Sequence, residues 1–284
     1  MPYDQKNSKA LAVLYQHFDG QYVPLIASLS WSIVVGIASF VLVYKTRLFN
    51  QLLVVPLSAP FLALPALMFA FLMGFMSAEA WQNFSNARSA LINETSAISR
   101  LVNIPVQPPE YQARSIALLK TYLQTSLSDE WAGEHNQVTS DKASDSINQL
   151  EVNVWDARKQ CAQSTTTSSA ACMDSIATSA FIKGIDDLRS AREQRLSAGY
   201  ELGITYKWSL VIFLAFIAAL SVAAAHRQSQ KTGVIALILF CLSLWVAFSM
   251  VSLHINPYKG RQSVVPTPLV HLLETLDKAP NTGS

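Results

Sequence analysis

Charge is scarce in this sequence. Only 14% of its 284 residues are charged, while 51% are hydrophobic. A soluble domain carries about a quarter charged residues, so the deficit requires a second solvent, and hydrocarbon supplies it. The net charge of +2 gives no field that would gather nucleic acid, and no long basic run supplies one locally. Cysteine is nearly absent, with three in the chain. The five histidines (17, 135, 226, 254 and 271) are scattered, so no Cys/His spacing makes a metal site. No H-E-x-x-H helix, G-x-S-x-G elbow or phosphate-binding glycine loop occurs, and no enzymatic activity or cofactor is expected. The two halves show no clear repeat of the kind transporters are built from.

Four long apolar runs stand against these absences. A spanning helix needs about 20 mostly apolar residues to cross about 30 Å of hydrocarbon. Pro24 to Tyr44, Leu52 to Ala78, Trp208 to Ala225 and Gly233 to His254 each meet that requirement. Trp31, Tyr44, Tyr206, Trp208 and Tyr258 lie in or beside the runs, several at depths where amphipathic rings favour the interface. Too little polar sequence exists to cover four such helices inside a soluble core. The first run follows some twenty mixed residues, including Asp4 and Asp19, without a clean small-x-small cleavage site. It reads as a retained helix, not a signal peptide. The second run holds Pro56, Pro60, Pro65 and Gly74 together with Phe61, Phe69, Phe71 and Phe75. A bent pore-facing helix and ordinary bundle packing are both open on these residues.

Residues 79–206 hold 15 acidic and 11 basic side chains, enough polarity for a domain in water. The stripe Phe84, Ala87, Leu91, Glu94, Ile98, Leu101 has helical spacing and continues the second membrane helix until Pro105, Pro108 and Pro109 stop it. Further helices are expected from Glu110 to about Leu127 on Ala113, Ile116, Leu119, Leu123 and Leu127, from Ser144 to Lys159, and from about Asp174 into the third membrane helix. The fold class is therefore an all-α integral membrane protein, with four transmembrane helices and a helical extramembrane domain between the second and third. The expected divisions are an N-terminal segment (1–23), membrane helices 1 and 2 (24–78), the helical domain (79–206), membrane helices 3 and 4 (207–255) and a C-terminal tail (256–284).

Glu94 interrupts an apolar stripe, and a buried carboxylate needs a partner. Arg192 and Arg195 lie on the stripe Phe181, Ile185, Leu188 of the last soluble helix. A Glu94–Arg192 or Glu94–Arg195 pair is the expectation, with a solvated edge position for Glu94 as the alternative. Cys161 and Cys172 bracket a Ser/Thr/Ala segment with little to bury, expected as a mobile loop, and are a candidate disulfide, which requires an oxidising compartment. Cys241 falls in the fourth run and reads as core.

Four crossings put the helical domain and both termini on one side. Lys45, Arg47, Arg227 and Lys231, with no acid, fill the two short loops and point those loops to the cytoplasm. Lys6, Lys9, Arg192, Arg195, Lys207, Lys259 and Arg261 lie near membrane ends on the other side and point the opposite way. Both orientations stay open, in a multi-pass protein of the cell (inner) membrane.

Several local patterns occur together: Gly74-Phe75, Trp81, Phe84, Asn86-Ala87 and Glu94; Tyr122 followed by Glu130-Trp131; Arg192-x-x-Arg195-Leu196; Trp208 opening a membrane helix; and Asn256-Pro257-Tyr258-x-Gly260. In this order, over residues 60–275, the sequence resembles the bacterial bestrophin-like family of four-helix membrane proteins. Bestrophins proper are pentameric anion channels whose second membrane helix lines the pore and carries an apolar neck near a Gly-Phe step. The resemblance implies a homo-oligomeric ion channel, with anions as the candidate ions and the lipid bilayer as its medium. It places the neck at Leu67, Phe71 and Phe75 and Glu79 near a pore mouth. Their spacing of four keeps the neck residues on one helix face. The acidic calcium clasp of animal bestrophins is not visible, so no calcium site is expected. Bestrophins hold their central domain in the cytoplasm, a departure from the oxidising side that the cysteine pair requires. A non-conducting membrane sensor or interaction protein, using its helical domain for partners, is the alternative.

Overall fold

The computed structural model describes residues 22–46, 59–131, 136, 138–163, 173–199, 204–254, 256–258 and 263–278. Among these, all regular structure is helical: α1 (Tyr22–Phe40), α2 (Ala59–Asn103), α3 (Pro109–Thr125), α4 (Asp141–Gln163), α5 (Ser175–Gly199), α6 (Ile204–Ala225), α7 (Gln230–His254) and α8 (Thr267–Lys278). Five-residue π turns extend α1 over Val41–Lys45 and α3 over Ser126–Glu130. Four helices are long and apolar enough to span a bilayer, with mean hydropathy 2.2, 1.6, 2.4 and 2.7 in chain order. α2 runs unbroken for 45 residues with Pro65 inside it. At 1.5 Å per residue that is about 68 Å, roughly twice the hydrocarbon thickness. Pro56, and the expected start of this helix at Leu52, lie outside the described residues, as does most of the 1–23 segment.

The chain divides into two compact units, Met1–Gln82 with Glu201–Asn256, and Asn83–Tyr200 with Pro257–Ser284. In the first, α1, α6 and α7 pack on one another. α6 turns its small residues Ala215, Ala219 and Ala223 inward, all fully buried, which lets backbones approach where no hydrophobic effect drives association. α1 buries Ser28, Ser32, Val35 and Ser39. Ser28 meets Ser249 of α7 at 2.8 Å, and the Trp245 indole donates to the Leu25 carbonyl at 3.2 Å. Polar groups in hydrocarbon must find such internal partners. The membrane part of α2 lays Phe69, Met73 and Met76 into the same core, with the Phe69 ring 6.0 Å from Phe248.

The second unit holds the C-terminal part of α2 with α3, α4, α5 and α8. Its core is apolar, with Leu91, Ile98, Leu101, Leu119, Ile147, Leu150, Phe181 and Leu188 at its centre. α3 packs on α4 and α8 on α3. The inward face of α3 carries Ser115, Leu119, Tyr122 and Leu123, whereas Ala113, expected there, is exposed. Two polar residues take the inward positions because each is hydrogen bonded. Asn153 donates to Ser115 Oγ at 2.9 Å, and Tyr122 donates to Glu94. The 256–284 stretch, read from sequence as a tail, contributes α8 to this core through Leu269 and Leu276. Lys120 and Asp277 pair beside it at 3.1 Å.

Candidate functional site

The neck candidates sit on one side of α2. Phe69, Met73, Met76 and Ala80 are its buried stripe in the membrane unit. Leu67, Phe71 and Phe75 are 55%, 62% and 70% exposed on the single chain. At 100° per residue the mean directions of the two stripes differ by about 170°. The same helix thus anchors one face in its own bundle and leaves the opposite face, rich in phenylalanine, uncovered. A Cβ built on Gly74 would meet nothing within 4 Å, so this face is also open beside the phenylalanines. Glu79, four residues beyond Phe75, is held by Lys207 of α6, whose Nζ donates to both carboxylate oxygens at 2.5 and 2.7 Å.

A second constellation lies wholly inside the helical unit. Glu94 is fully buried, which excludes the solvated position. Arg195 donates from Nε to its Oε2 at 2.6 Å and from Nη2 to its Oε1 at 3.2 Å. Arg192 does not bind Glu94. It turns to Glu130, donating from Nε at 3.0 Å and from Nη2 at 2.5 Å, and also to the Ser140 carbonyl at 3.1 Å. Arg195 Nη2 reaches the other oxygen of Glu130 at 2.6 Å. Two carboxylates and two guanidiniums therefore alternate Glu94–Arg195–Glu130–Arg192, with charges that balance. Neutral donors and acceptors close the cluster. The Tyr122 hydroxyl donates to Glu94 at 2.5 Å, Ser126 and Asn136 accept from Arg195, and Ser140 N–H donates to Glu130 at 3.1 Å. The π turn at Ser126–Glu130 is what aims both Ser126 and Glu130 inward. Trp131 lies under the Arg195 guanidinium with 5.4 Å from Cζ to its ring centre, and Tyr258 donates to the Arg195 carbonyl at 2.7 Å.

The electrostatics follow from this packing. Burial pushes the Glu130 carboxyl up, but the hydrogen bonds and charges of Arg192 and Arg195 outweigh it and hold it below the usual carboxylate range. Burial pulls Arg195 down, and Glu94 more than reverses it, so this guanidinium stays charged. Burial, then the Glu94 charge, pushes Tyr122 well above an ordinary phenol; burial also raises Tyr258. The two carboxylates and two guanidiniums find their partners within the helical unit, whereas Asn136 Nδ2 and Trp131 Nε1 beside them are buried without a hydrogen bond. The arrangement fixes the register of α2, α3 and α5.

Of the residues singled out from sequence, Glu94 and Arg195 meet directly, and Arg192 joins them only through Glu130. Cys161 is disulfide-bonded; Cys172, its expected partner, and the segment before it lie outside the described residues. Cys241 is free. No group of three or more His, Cys, Asp or Glu able to hold a metal occurs among the described residues. Sequence reasoning missed the Glu79–Lys207 pair and the parts of Tyr122, Ser126 and Asn136. The available signal was Glu130 beside Trp131, a charged residue next to a large ring in the resemblance.

Comparison with known proteins agrees with the helical membrane fold. A bestrophin-like domain matches residues 33–269. No curated protein sequence matches the chain. Among solved structures, a tryptophan-to-alanine variant of a bacterial bestrophin homologue from Klebsiella pneumoniae superposes with TM-score 0.61 at 12% identity. That match covers 89% of this chain and 94% of the other. The zinc-phased crystal structure of the Klebsiella pneumoniae homologue gives TM-score 0.57 at 13% identity over 89% and 95%. At such identities these likenesses speak to the fold alone, and the fold they share is that of a multi-pass helical membrane protein. On the domain match, the chain belongs to the bestrophin-like family, a membership that supports an ion channel in general.

Proposed function

We propose that the chain assembles as a homo-oligomeric, anion-conducting channel of the cell (inner) membrane, with α2 from each copy lining the central pore. Leu67, Phe71 and Phe75 form an apolar neck. The observation that carries this reading is the uncovered phenylalanine face of α2, opposite the face that anchors the helix in its own bundle. A ring of copies about an axis covers such a face, and an apolar ring of that kind gates by dewetting. The buried Glu94–Arg195–Glu130–Arg192 cluster holds the extramembrane part of α2 in place, and the reading includes no catalytic step.

The test is thiol block. In a Cys241→Ala background, Phe71→Cys protein in liposomes is treated with a charged, membrane-impermeant methanethiosulfonate. A pore-facing position 71 gives flux that the reagent abolishes, whereas a lipid-facing control such as Ile238→Cys on α7 gives flux that it leaves unchanged. A well-folded oligomer with no flux transfers the reading to a membrane sensor or interaction protein.

A further inference from the structure

Two helices of the membrane unit each carry a solitary charge. From Ala59 to Ala87, α2 has one charged side chain, Glu79, and α6, from Ile204 to Ala225, has one, Lys207. They are 128 residues apart in sequence, yet Lys207 Nζ contacts both Glu79 oxygens, at 2.5 and 2.7 Å. Glu79 also continues the neck spacing, following Phe75 by four as Phe75 follows Phe71. The side chain of Glu79 is 62% exposed and that of Lys207 is 30% exposed, so the carboxylate is the more open partner of the pair. An exposed ion pair contributes little to stability. Its larger effect is on the local potential. A ring of bare carboxylates at a pore end attracts cations and repels anions, while a ring of paired carboxylates is close to neutral.

We infer that Lys207 is a specificity-determining residue of the channel: it cancels the Glu79 charge at the mouth and thereby sets the balance between anion and cation passage. This rests on the channel reading above and adds to it the group that sets charge preference. Neither residue touches the buried cluster of the helical unit, so their neutral variants leave that cluster intact.

The experiment is the reversal potential of the purified oligomer in planar bilayers under a KCl gradient. Wild type is compared with Lys207→Gln, Glu79→Gln, the double variant and Lys207→Arg. Lys207→Gln uncovers the carboxylate and moves the reversal potential toward that of potassium, with an anion-to-cation permeability ratio lowered on the order of tenfold. Glu79→Gln moves it toward chloride. The double variant and Lys207→Arg return close to wild type, which a pair serving only as a structural strut would not produce. Conducting variants that all share the wild-type reversal potential overturn the inference and leave the channel reading standing. A folded wild-type oligomer that passes no current overturns both.

Discussion

Arg195 Nε and Glu94 Oε2 lie 2.6 Å apart across 101 residues of chain, both side chains without solvent exposure. A charge taken that far from water is tolerated only when its partners are complete. Glu130, Tyr122, Asn136 and Ser126 complete them. Removing one member of such a cluster strands the others, which typically costs about 3–5 kcal/mol. Arg195→Met and Glu94→Leu are each expected to destabilise the helical unit by about that amount, with coupling in a double-mutant cycle above about 1.5 kcal/mol. Arg192→Met should cost less, since Arg192 serves one carboxylate and Arg195 two. Chemical denaturation of the detergent-solubilised protein, followed by near-ultraviolet circular dichroism, measures all four.

Stability should also fall at both ends of the pH scale. The folded-state pKa of Glu130 is depressed, so its contribution is full above the unfolded value of about 4.3. It is lost as pH falls through the lower folded value. Tyr122 and Tyr258 are raised. Their contribution is full below about pH 10 and is lost as pH rises through the folded values. A thermal-melt series is therefore expected to show a plateau between about pH 5 and 9, with an acid limb that Glu130→Gln flattens. An acid limb of unchanged size in Glu130→Gln would assign that limb to other carboxylates.

Two glycines of the membrane unit separate packing from openness. A Cβ at Gly233 would fall on the Tyr44 hydroxyl, which donates to the Ala223 carbonyl at 3.2 Å. Gly233→Ala should cost about 1–3 kcal/mol by overpacking. At Gly74 nothing lies within 4 Å, so Gly74→Ala should leave the folded chain as stable as wild type. Gly74→Trp should reduce oligomer yield or flux, because only a neighbouring copy would meet the ring. Size-exclusion chromatography with light scattering reads both effects.

α8 is expected to be part of the helical unit in solution. Leu269→Ala and Leu276→Ala each empty a buried site and should cost about 2–5 kcal/mol. Val270→Ala, on the exposed side, should cost under about 0.5 kcal/mol. Equal, small effects at all three would return this segment to a tail.

Much of this was legible in the sequence, for physical reasons. Membrane spans announce themselves by length and by missing charge, and among the described residues each of the four runs holds a helix. Glu94 was visible because a carboxylate on an apolar stripe demands a cation, and Arg195 supplied it. Glu130 stood out only as the neighbour of Trp131, and not as a partner of the arginines, because it sits in a π turn whose inward aim has no helical period. Tyr122 and Ser115 were left off the α3 stripe, since hydrogen bonding rather than hydrophobicity holds them inside, and so the face of α3 was read off-centre through Ala113. α8 is short and follows Pro257 and Pro266, which hid its amphipathic pattern behind breaker signals. Glu79 and Lys207 were each noticed alone, and nothing local ties residues so far apart in sequence.

The central claim, that the phenylalanine face of α2 forms the constriction of a pore, is tested most directly by anion flux through purified protein in liposomes. Wild type is compared with Phe71→Ala and Phe75→Ala at matched oligomer content. The account predicts anion-selective flux that rises several-fold in both variants as the apolar ring widens and wets. Flux that is absent from well-folded oligomers of all three proteins, or that is identical in all three, would contradict it.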